Sequence, residues 1–112
     1  RRLPVSAEHL ALIRAGMTAA VTDSDGSARG LRGAGMLLAA KTGTAEVGSP
    51  SNRHKNAWVI CYGPLPSPRF ALACIIEEGD SGGRTAVPLA AEFLRLWSER
   101  RGAGPASEGT AP

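Results

Sequence analysis

The sequence is poor in aromatic residues, in cysteine and in long apolar runs, and each shortage argues against a class of protein. Aromatic side chains make up 4% of the 112 residues, so we expect a core of Leu, Ile, Val and many alanines. The cysteines and histidines (Cys61, Cys74, His9, His54) lack the spacing of zinc ligands, which argues against a structural metal site. No apolar run approaches the roughly 18 residues of a membrane span, and no signal-peptide pattern is present.

Charge is also nearly balanced. The chain has 13 basic and 10 acidic residues, a net charge of +3, and its arginines are scattered along the sequence. Nucleic-acid binding normally needs clustered basic residues, so it is not predicted. A chain of 112 residues supports one domain at most. Because it begins at Arg1 without Met, we expect it to be a piece of a longer protein.

Apolar spacing predicts two helices, over residues 7–22 with Ser6 as N-cap and over residues 86–100 with Thr85 as N-cap. The Gly-rich stretch 22–35 predicts a loop. Between the helices, short apolar runs predict three strands, at residues 36–45, 57–63 and 69–78. Two loops, 48–56 and the Pro-rich 64–68, would connect them.

These elements predict an α/β (α+β) fold, an antiparallel sheet flanked by helices. The second and third strands are apolar on both faces, so we expect the sheet to be covered on both sides. Residues 1–101 would form an incomplete domain. The last segment, 102–112, has no apolar period and is predicted to be a disordered tail.

The motif with a chemical mechanism is Lys41-Thr42-Gly43-Thr44 on the first strand. The lysine can supply positive charge to an anionic substrate, and the threonine hydroxyls can donate to a carboxylate. Gly43 shares the Lys41 face and carries no side chain, so a substrate can lie against the backbone there, where the Thr44 N–H can stabilise an oxyanion. On its own, such a short motif is more often a strand end with a solvated lysine and a tightly packed glycine.

The surrounding sequence makes the motif more specific. The runs LLAAKTGTAEVG, NAWVICYGP, RFALACIIEEG and GGRTAVPLAAEFL resemble, in this order, the C-terminal end of the transpeptidase domain of class B penicillin-binding proteins. The resemblance covers residues 6–98, and the Ala-Trp and Gly-Gly elements are similar to those of elongation-type members. It implies a penicillin-binding protein/β-lactamase-like fold, with residues 1–101 as the C-terminal portion of the domain.

The resemblance also implies an activity, a peptidoglycan D,D-transpeptidase that cross-links stem peptides through a serine acyl-enzyme. Lys41 would have an electrostatic and proton-relay role. Thr42, Gly43 and Thr44 would bind the substrate carboxylate and the oxyanion. The implied partners are peptidoglycan stem peptides, β-lactams and the remainder of the parent domain, with no metal and no cofactor. The parent would lie on the periplasmic face of the inner membrane, held by an N-terminal anchor outside this chain.

Two catalytic motifs of that family are missing from the sequence. No Ser-x-x-Lys exists, because Leu38 and Asn52 lie three residues before the two lysines, and no Ser-x-Asn exists either. We therefore expect the chain alone to be inactive. A serine β-lactamase, a penicillin-recognising sensor and a catalytically dead binding module are the alternatives.

The remaining polar residues have simpler interpretations. Cys61 and Cys74 would lie nearly opposite on neighbouring strands, as free thiols or as a disulfide. His9 and His54 are expected at the surface, with His54 in a loop near the cleft. The acidic residues Glu77, Glu78 and Asp80 predict a solvated turn.

Overall fold

A computed structural model describes residues 1–103 of the chain. Its elements are α1 (Ala7–Thr22), a 3-10 helix (Arg29–Ala34), β1 (Ala39–Ser49), β2 (Asn52–Gly63), β3 (Phe70–Ile76), a π-helical turn (Gly82–Ala86) and α2 (Val87–Ala103). The sequence predicts a disordered tail over residues 102–112. Helix α2 continues to Ala103, so the prediction is wrong for residues 102–103, and residues 104–112 lie outside the described part. Within residues 1–103, no helix is long and apolar enough to cross a membrane.

The three strands form one antiparallel sheet in the order β1-β2-β3, which confirms the predicted architecture. Gly43 lies opposite Trp58 on β2, and Trp58 lies opposite Ile75 on β3. Neighbouring strands follow each other in the chain, so short connections are sufficient.

The loop predicted at 48–56 is wrong. β1 continues to Ser49 and β2 begins at Asn52, so only residues 50–51 form the turn. The polar residues here lie on the solvent-exposed end of a two-stranded hairpin. Their backbones continue the hydrogen-bonded pairing of the strands, and their charged side chains stay in solvent. Glu46 and Arg53 form an ion pair across this hairpin, 3.0 Å between Oε1 and Nη1.

The helix ends agree with the predictions only in part. The Ser6 side chain accepts a hydrogen bond from the His9 N–H at 3.1 Å, which confirms the N-cap of α1. Thr85 is not the cap of the last helix. The Ser81 hydroxyl accepts from the Arg84 N–H at 3.2 Å, and a π-helical turn then leads directly into α2. The Thr85 hydroxyl instead donates to the Ser81 carbonyl at 2.7 Å.

The core lies on one face of the sheet, here called the inner face, where Ala57, Val59 and Cys61 of β2 are buried. Helix α2, the 3-10 helix and the end of α1 supply the other side of the same cluster, through Val87, Ala90, Leu94, Leu31 and Val21. Alanine is its commonest residue, as the shortage of aromatics predicted. The 3-10 helix forms inside the predicted loop 22–35 because its Leu31 and Ala34 are buried in this core.

The opposite, outer face is covered by the described residues only at one end, where Ala39 is buried opposite the half-buried Tyr62. The prediction of a sheet covered on both sides is therefore wrong for the rest of this face. Trp58, Ile60 and Ile75 are 39%, 46% and 41% exposed. Burial along β2 alternates from Ala57 to Cys61 instead of being continuous, which is the pattern of a sheet packed on one side.

Candidate active site

The Lys-Thr-Gly-Thr motif lies near the start of β1, which is an edge strand of the described sheet. The register places Thr42 opposite Val59, whose side chain is buried on the inner face, and Lys41 opposite the exposed Ile60. Because side chains alternate along a strand, Thr42 and Thr44 face inward while Lys41 and Gly43 face outward. The predicted common face of Lys41 and Gly43 is therefore confirmed.

A cavity of about 430 Å³ lies beside the motif. Three of the four predicted site residues line it, namely Thr42, Gly43 and Thr44. Lys41 lies on the opposite face of β1, and its ammonium group donates to the Thr42 carbonyl. The structure therefore brings the threonines and Gly43 together and leaves the lysine on the outer face of the same strand.

Two segments outside the motif complete the cavity. One contains the residues that precede and open the 3-10 helix, the other the π-helical turn and its cap. Their lining residues are Ser27, Arg29, Gly30, Ser81, Gly82, Gly83 and Arg84. Sequence reasoning missed all of them, because their Gly, Ser and Arg composition is that of an ordinary turn. The only available signal was the repeated glycine in both segments.

Gly82 explains why the π-helical turn can lie here. A Cβ atom at Gly82 would be 2.4 Å from the Trp58 carbonyl oxygen and 2.9 Å from that of Gly43. Gly43 and Trp58 are paired across β1 and β2. The Trp58 side chain points to the outer face, and Gly43 has no side chain. Their inner side is therefore bare backbone, and the turn packs directly on it between the two threonines of the motif.

The cavity lining is hydroxyl-rich and cationic. Arg84 pairs with Asp80 at 3.0 Å, and Arg29 donates to the Gly26 carbonyl at 2.9 Å, so both guanidinium groups are held near their own loops. The Thr42 hydroxyl donates to the Ser27 hydroxyl at 2.9 Å. Because Asp80 neutralises Arg84, the positive charge of the lining comes from Arg29. Hydroxyl donors beside this charge favour an anion, and a carboxylate matches that chemistry.

The two cysteines lie on neighbouring strands away from this cavity and are free thiols. Cys61 is opposite Leu72 and Cys74 is opposite Val59, so the pair is diagonal instead of directly opposite. Diagonal positions exceed the usual reach of a disulfide. Burial away from water, reinforced by the nearby Cys74, raises the pKa of Cys61 to about 11. Burial also raises the pKa of Cys74.

The other polar residues singled out from the sequence do not line the cavity. Glu77, Glu78 and Asp80 are exposed after β3, which confirms the solvated turn. His9 is exposed. His54 is half-buried on β2, opposite Val47 in the hairpin, and not in a loop.

Comparison with known proteins gives one consistent family. The sequence profile of the penicillin binding protein transpeptidase domain matches residues 1–95. The peptidoglycan D,D-transpeptidase PbpA of Mycolicibacterium smegmatis is 40% identical over 62 residues, which is 50% of this chain and 13% of that protein. The peptidoglycan D,D-transpeptidase MrdA of Haemophilus influenzae is 27% identical over 99 residues, 77% of this chain and 15% of that protein.

A solved structure shows the same arrangement of elements. The penicillin-binding protein PBP2 in a complex with MreC from Helicobacter pylori aligns with a TM-score of 0.69 at 28% identity, over 86% of this chain and 18% of that one. The chain thus spans less than a fifth of the length of each of these proteins.

Proposed function

Because the chain belongs to the penicillin-binding protein transpeptidase domain family, we propose that residues 1–101 are the C-terminal portion of a peptidoglycan D,D-transpeptidase. The observation that carries the proposal is the convergence of Thr42, Gly43 and Thr44 on one hydroxyl-rich, cationic cavity. The Ala-Trp and Gly-Gly elements favour an elongation-type enzyme with a role in cell shape.

The reaction is an acyl transfer in two steps. A serine hydroxyl supplied by the remainder of the domain attacks the carbonyl between the two D-Ala residues of a stem peptide. The peptide bond breaks, the terminal D-Ala leaves with the serine proton on its amine, and an ester to the serine remains. An amine of a second stem peptide then attacks the ester and regenerates the serine. A β-lactam acylates the same serine and stops at the ester.

The residues of this chain bind and polarise the donor peptide. Thr42 and Thr44 donate hydroxyl hydrogen bonds to its terminal carboxylate. The N–H of Thr44 stabilises the oxyanion of the tetrahedral intermediate. The position of β1 at the edge of the described sheet supports this role. On its open side, an edge strand has N–H groups that do not pair with another strand.

Lys41 acts from the outer face. The exposed Trp58, Ile60 and Ile75 on that face form an apolar surface beside it, and we place the remainder of the domain there. The Lys41 ammonium group then lies near the catalytic serine supplied by the remainder of the domain. Its positive charge stabilises the developing oxyanion and assists proton transfer. The complete protein would act at the periplasmic face of the inner membrane, through an anchor that is not part of this chain.

Replacing Lys41 with Ala in the complete protein tests the proposal. We expect the acylation rate with a fluorescent penicillin to fall by about a hundredfold or more, since a preorganised charge next to the reacting atoms is lost. Gel fluorescence over time measures this rate.

Lys55→Ala is the matched control, because it removes the same charge from an exposed position opposite Glu46 in the hairpin. It should be acylated at the wild-type rate. Unimpaired acylation of Lys41→Ala, or a wild-type complete protein that forms no adduct, would overturn the proposed function.

A further inference from the structure

Ser27 lies outside the motif, yet its hydroxyl contacts it directly. The Thr42 hydroxyl donates to the Ser27 hydroxyl, with 2.9 Å between the two oxygens. Both side chains line the 430 Å³ cavity. Ser27 is exposed there, whereas Thr42 is partly buried, so Ser27 approaches Thr42 from the open side of the cavity.

The backbone around Ser27 is held on two sides. A Cβ atom at Gly26 would lie 2.2 Å from the Ala20 carbonyl oxygen, and the Ala28 N–H donates to the same oxygen at 2.9 Å. A Cβ atom at Gly83, in the π-helical turn, would lie 2.7 Å from the Ser27 carbonyl oxygen. These close approaches fix the position of Ser27 relative to α1 and to the turn, so its hydroxyl is placed before any ligand arrives.

The chemistry of two hydroxyls explains why this contact matters for a carboxylate. Thr42 has one hydroxyl proton, and it now points at Ser27. When Thr42 donates this proton to a carboxylate, its oxygen can accept the hydroxyl proton of Ser27, because a hydroxyl both donates and accepts. A chain of hydrogen bonds from Ser27 through Thr42 to the anion results, each strengthening the next. No covalent bond breaks and no proton is transferred.

We propose that Ser27 is a positioning residue, which orients the Thr42 hydroxyl toward the carboxylate of the donor peptide or β-lactam. The inference rests on the proposed function, since it assumes that Thr42 binds this carboxylate. It adds a residue that lies 15 positions before Thr42 and outside the Lys-Thr-Gly-Thr motif.

The test uses the complete protein and two probes, a labelled penicillin and the same compound with its carboxylate blocked as a methyl ester. Ser27→Ala should lower the acylation rate with the free acid about three- to tenfold at sub-saturating concentration. A factor of this size corresponds to the usual net contribution of one hydrogen bond. The rate with the ester should not change. Ser27→Thr keeps the hydroxyl and should remain within about twofold of wild type with both probes.

A double-mutant cycle with Thr42→Val separates positioning from a structural effect. If Ser27 acts through Thr42, Ser27→Ala causes no further loss in the Thr42→Val background. Three outcomes would overturn this inference but leave the proposed function intact. They are equal losses of acylation rate with acid and ester, additive losses in the cycle, and an unchanged rate for Ser27→Ala. A wild-type protein that forms no adduct would overturn the proposed function, and this inference with it.

Discussion

Lys41 and Thr42 are neighbours in the chain, but the pleat of β1 directs their side chains to opposite faces of the sheet. A single tripeptide can therefore act in two environments. The lysine provides charge on the outer face, beside Ile60, and the threonine provides a hydroxyl to the cavity on the inner face. Gly43 between them carries no side chain, so nothing separates the two sides at the edge of the strand except backbone.

The two free thiols should differ in reactivity. Cys61 is 2% exposed, and burial raises its pKa to about 11, so the reactive thiolate is scarce near neutral pH. Cys74 is only partly buried. With iodoacetamide at pH 7.5 we expect Cys74 to be alkylated first, as measured by mass spectrometry of the peptides. Faster labelling of Cys61 in the folded protein would contradict the burial.

The same raised pKa has a consequence for alkaline stability. A thiol that titrates higher in the folded state stabilises it below the unfolded pKa near 9.0, and this contribution is lost as the pH rises toward about 11. Cys61→Ala removes the titrating group. We expect the thermal midpoint of the wild type to fall more steeply than that of Cys61→Ala between these two pH values. Parallel curves would show that Cys61 does not cause the loss.

Among the elements, the π-helical turn contributes most to the shape of the site. It packs on the backbone of Gly43 and Trp58 through Gly82 and on the Ser27 carbonyl through Gly83. One five-residue element thus touches both the motif strand and the segment before the 3-10 helix. Residues of this turn and of the motif line the cavity together.

Gly82→Ala should displace this turn. The added Cβ would meet backbone atoms of Trp58 and Gly43 at 2.4–3.0 Å, which cannot move without disturbing the sheet, so we expect a loss of about 2 kcal/mol or more. Hydrogen exchange of the β1 peptide in the complete protein should accelerate.

Gly16→Ala is the control for this substitution. Gly16 lies in α1 with nothing within 4 Å of the added atom, so alanine should stabilise the helix by about 0.5–1 kcal/mol. Slower or unchanged exchange of β1 in Gly82→Ala would show that the turn does not support the strand.

The positions of helices and strands were predicted correctly where the pattern of side chains determines the structure. Apolar periodicity located α1 and the three strands, and the Ser6 cap followed from local chemistry. The polar hairpin after Val47 was missed because an exposed ladder needs no apolar side chains. The packing of the Gly82 turn on the sheet and the Ser27 contact were missed because they depend on close approaches between segments far apart in the chain. The cavity is built from such approaches, so the motif could be predicted and its surroundings could not.

At the scale of the molecule, the described chain has two kinds of unsatisfied surface. Trp58, Ile60 and Ile75 leave an apolar patch on the outer face. Strand β3 is an edge of the described sheet. An apolar edge strand with unpaired backbone groups promotes intermolecular pairing.

The 112-residue chain on its own should therefore self-associate. Sedimentation velocity over a concentration series measures this. Ile75→Lys places a charge on both the edge strand and the outer face and should reduce association, whereas Leu12→Lys, at a 70% exposed position of α1, makes the same charge change elsewhere and should not. A wild-type chain that stays monomeric at high concentration and melts cooperatively would contradict the expectation.

The same chain should also form no covalent adduct with a labelled penicillin, although it carries the motif. Binding of a carboxylate and half of an oxyanion hole act on a reaction that needs a nucleophile, and neither lysine has a serine three residues before it. In serine enzymes of other folds, removing the nucleophile leaves only about 10³–10⁴ of rate enhancement over water, and no acyl-enzyme can form. Intact-mass spectrometry of the chain and of the complete protein after incubation with the drug measures the difference. We expect one adduct per complete protein and none on the chain. A stoichiometric adduct on the chain would place the nucleophile among its own serines, and peptide mapping would then identify which of them reacted.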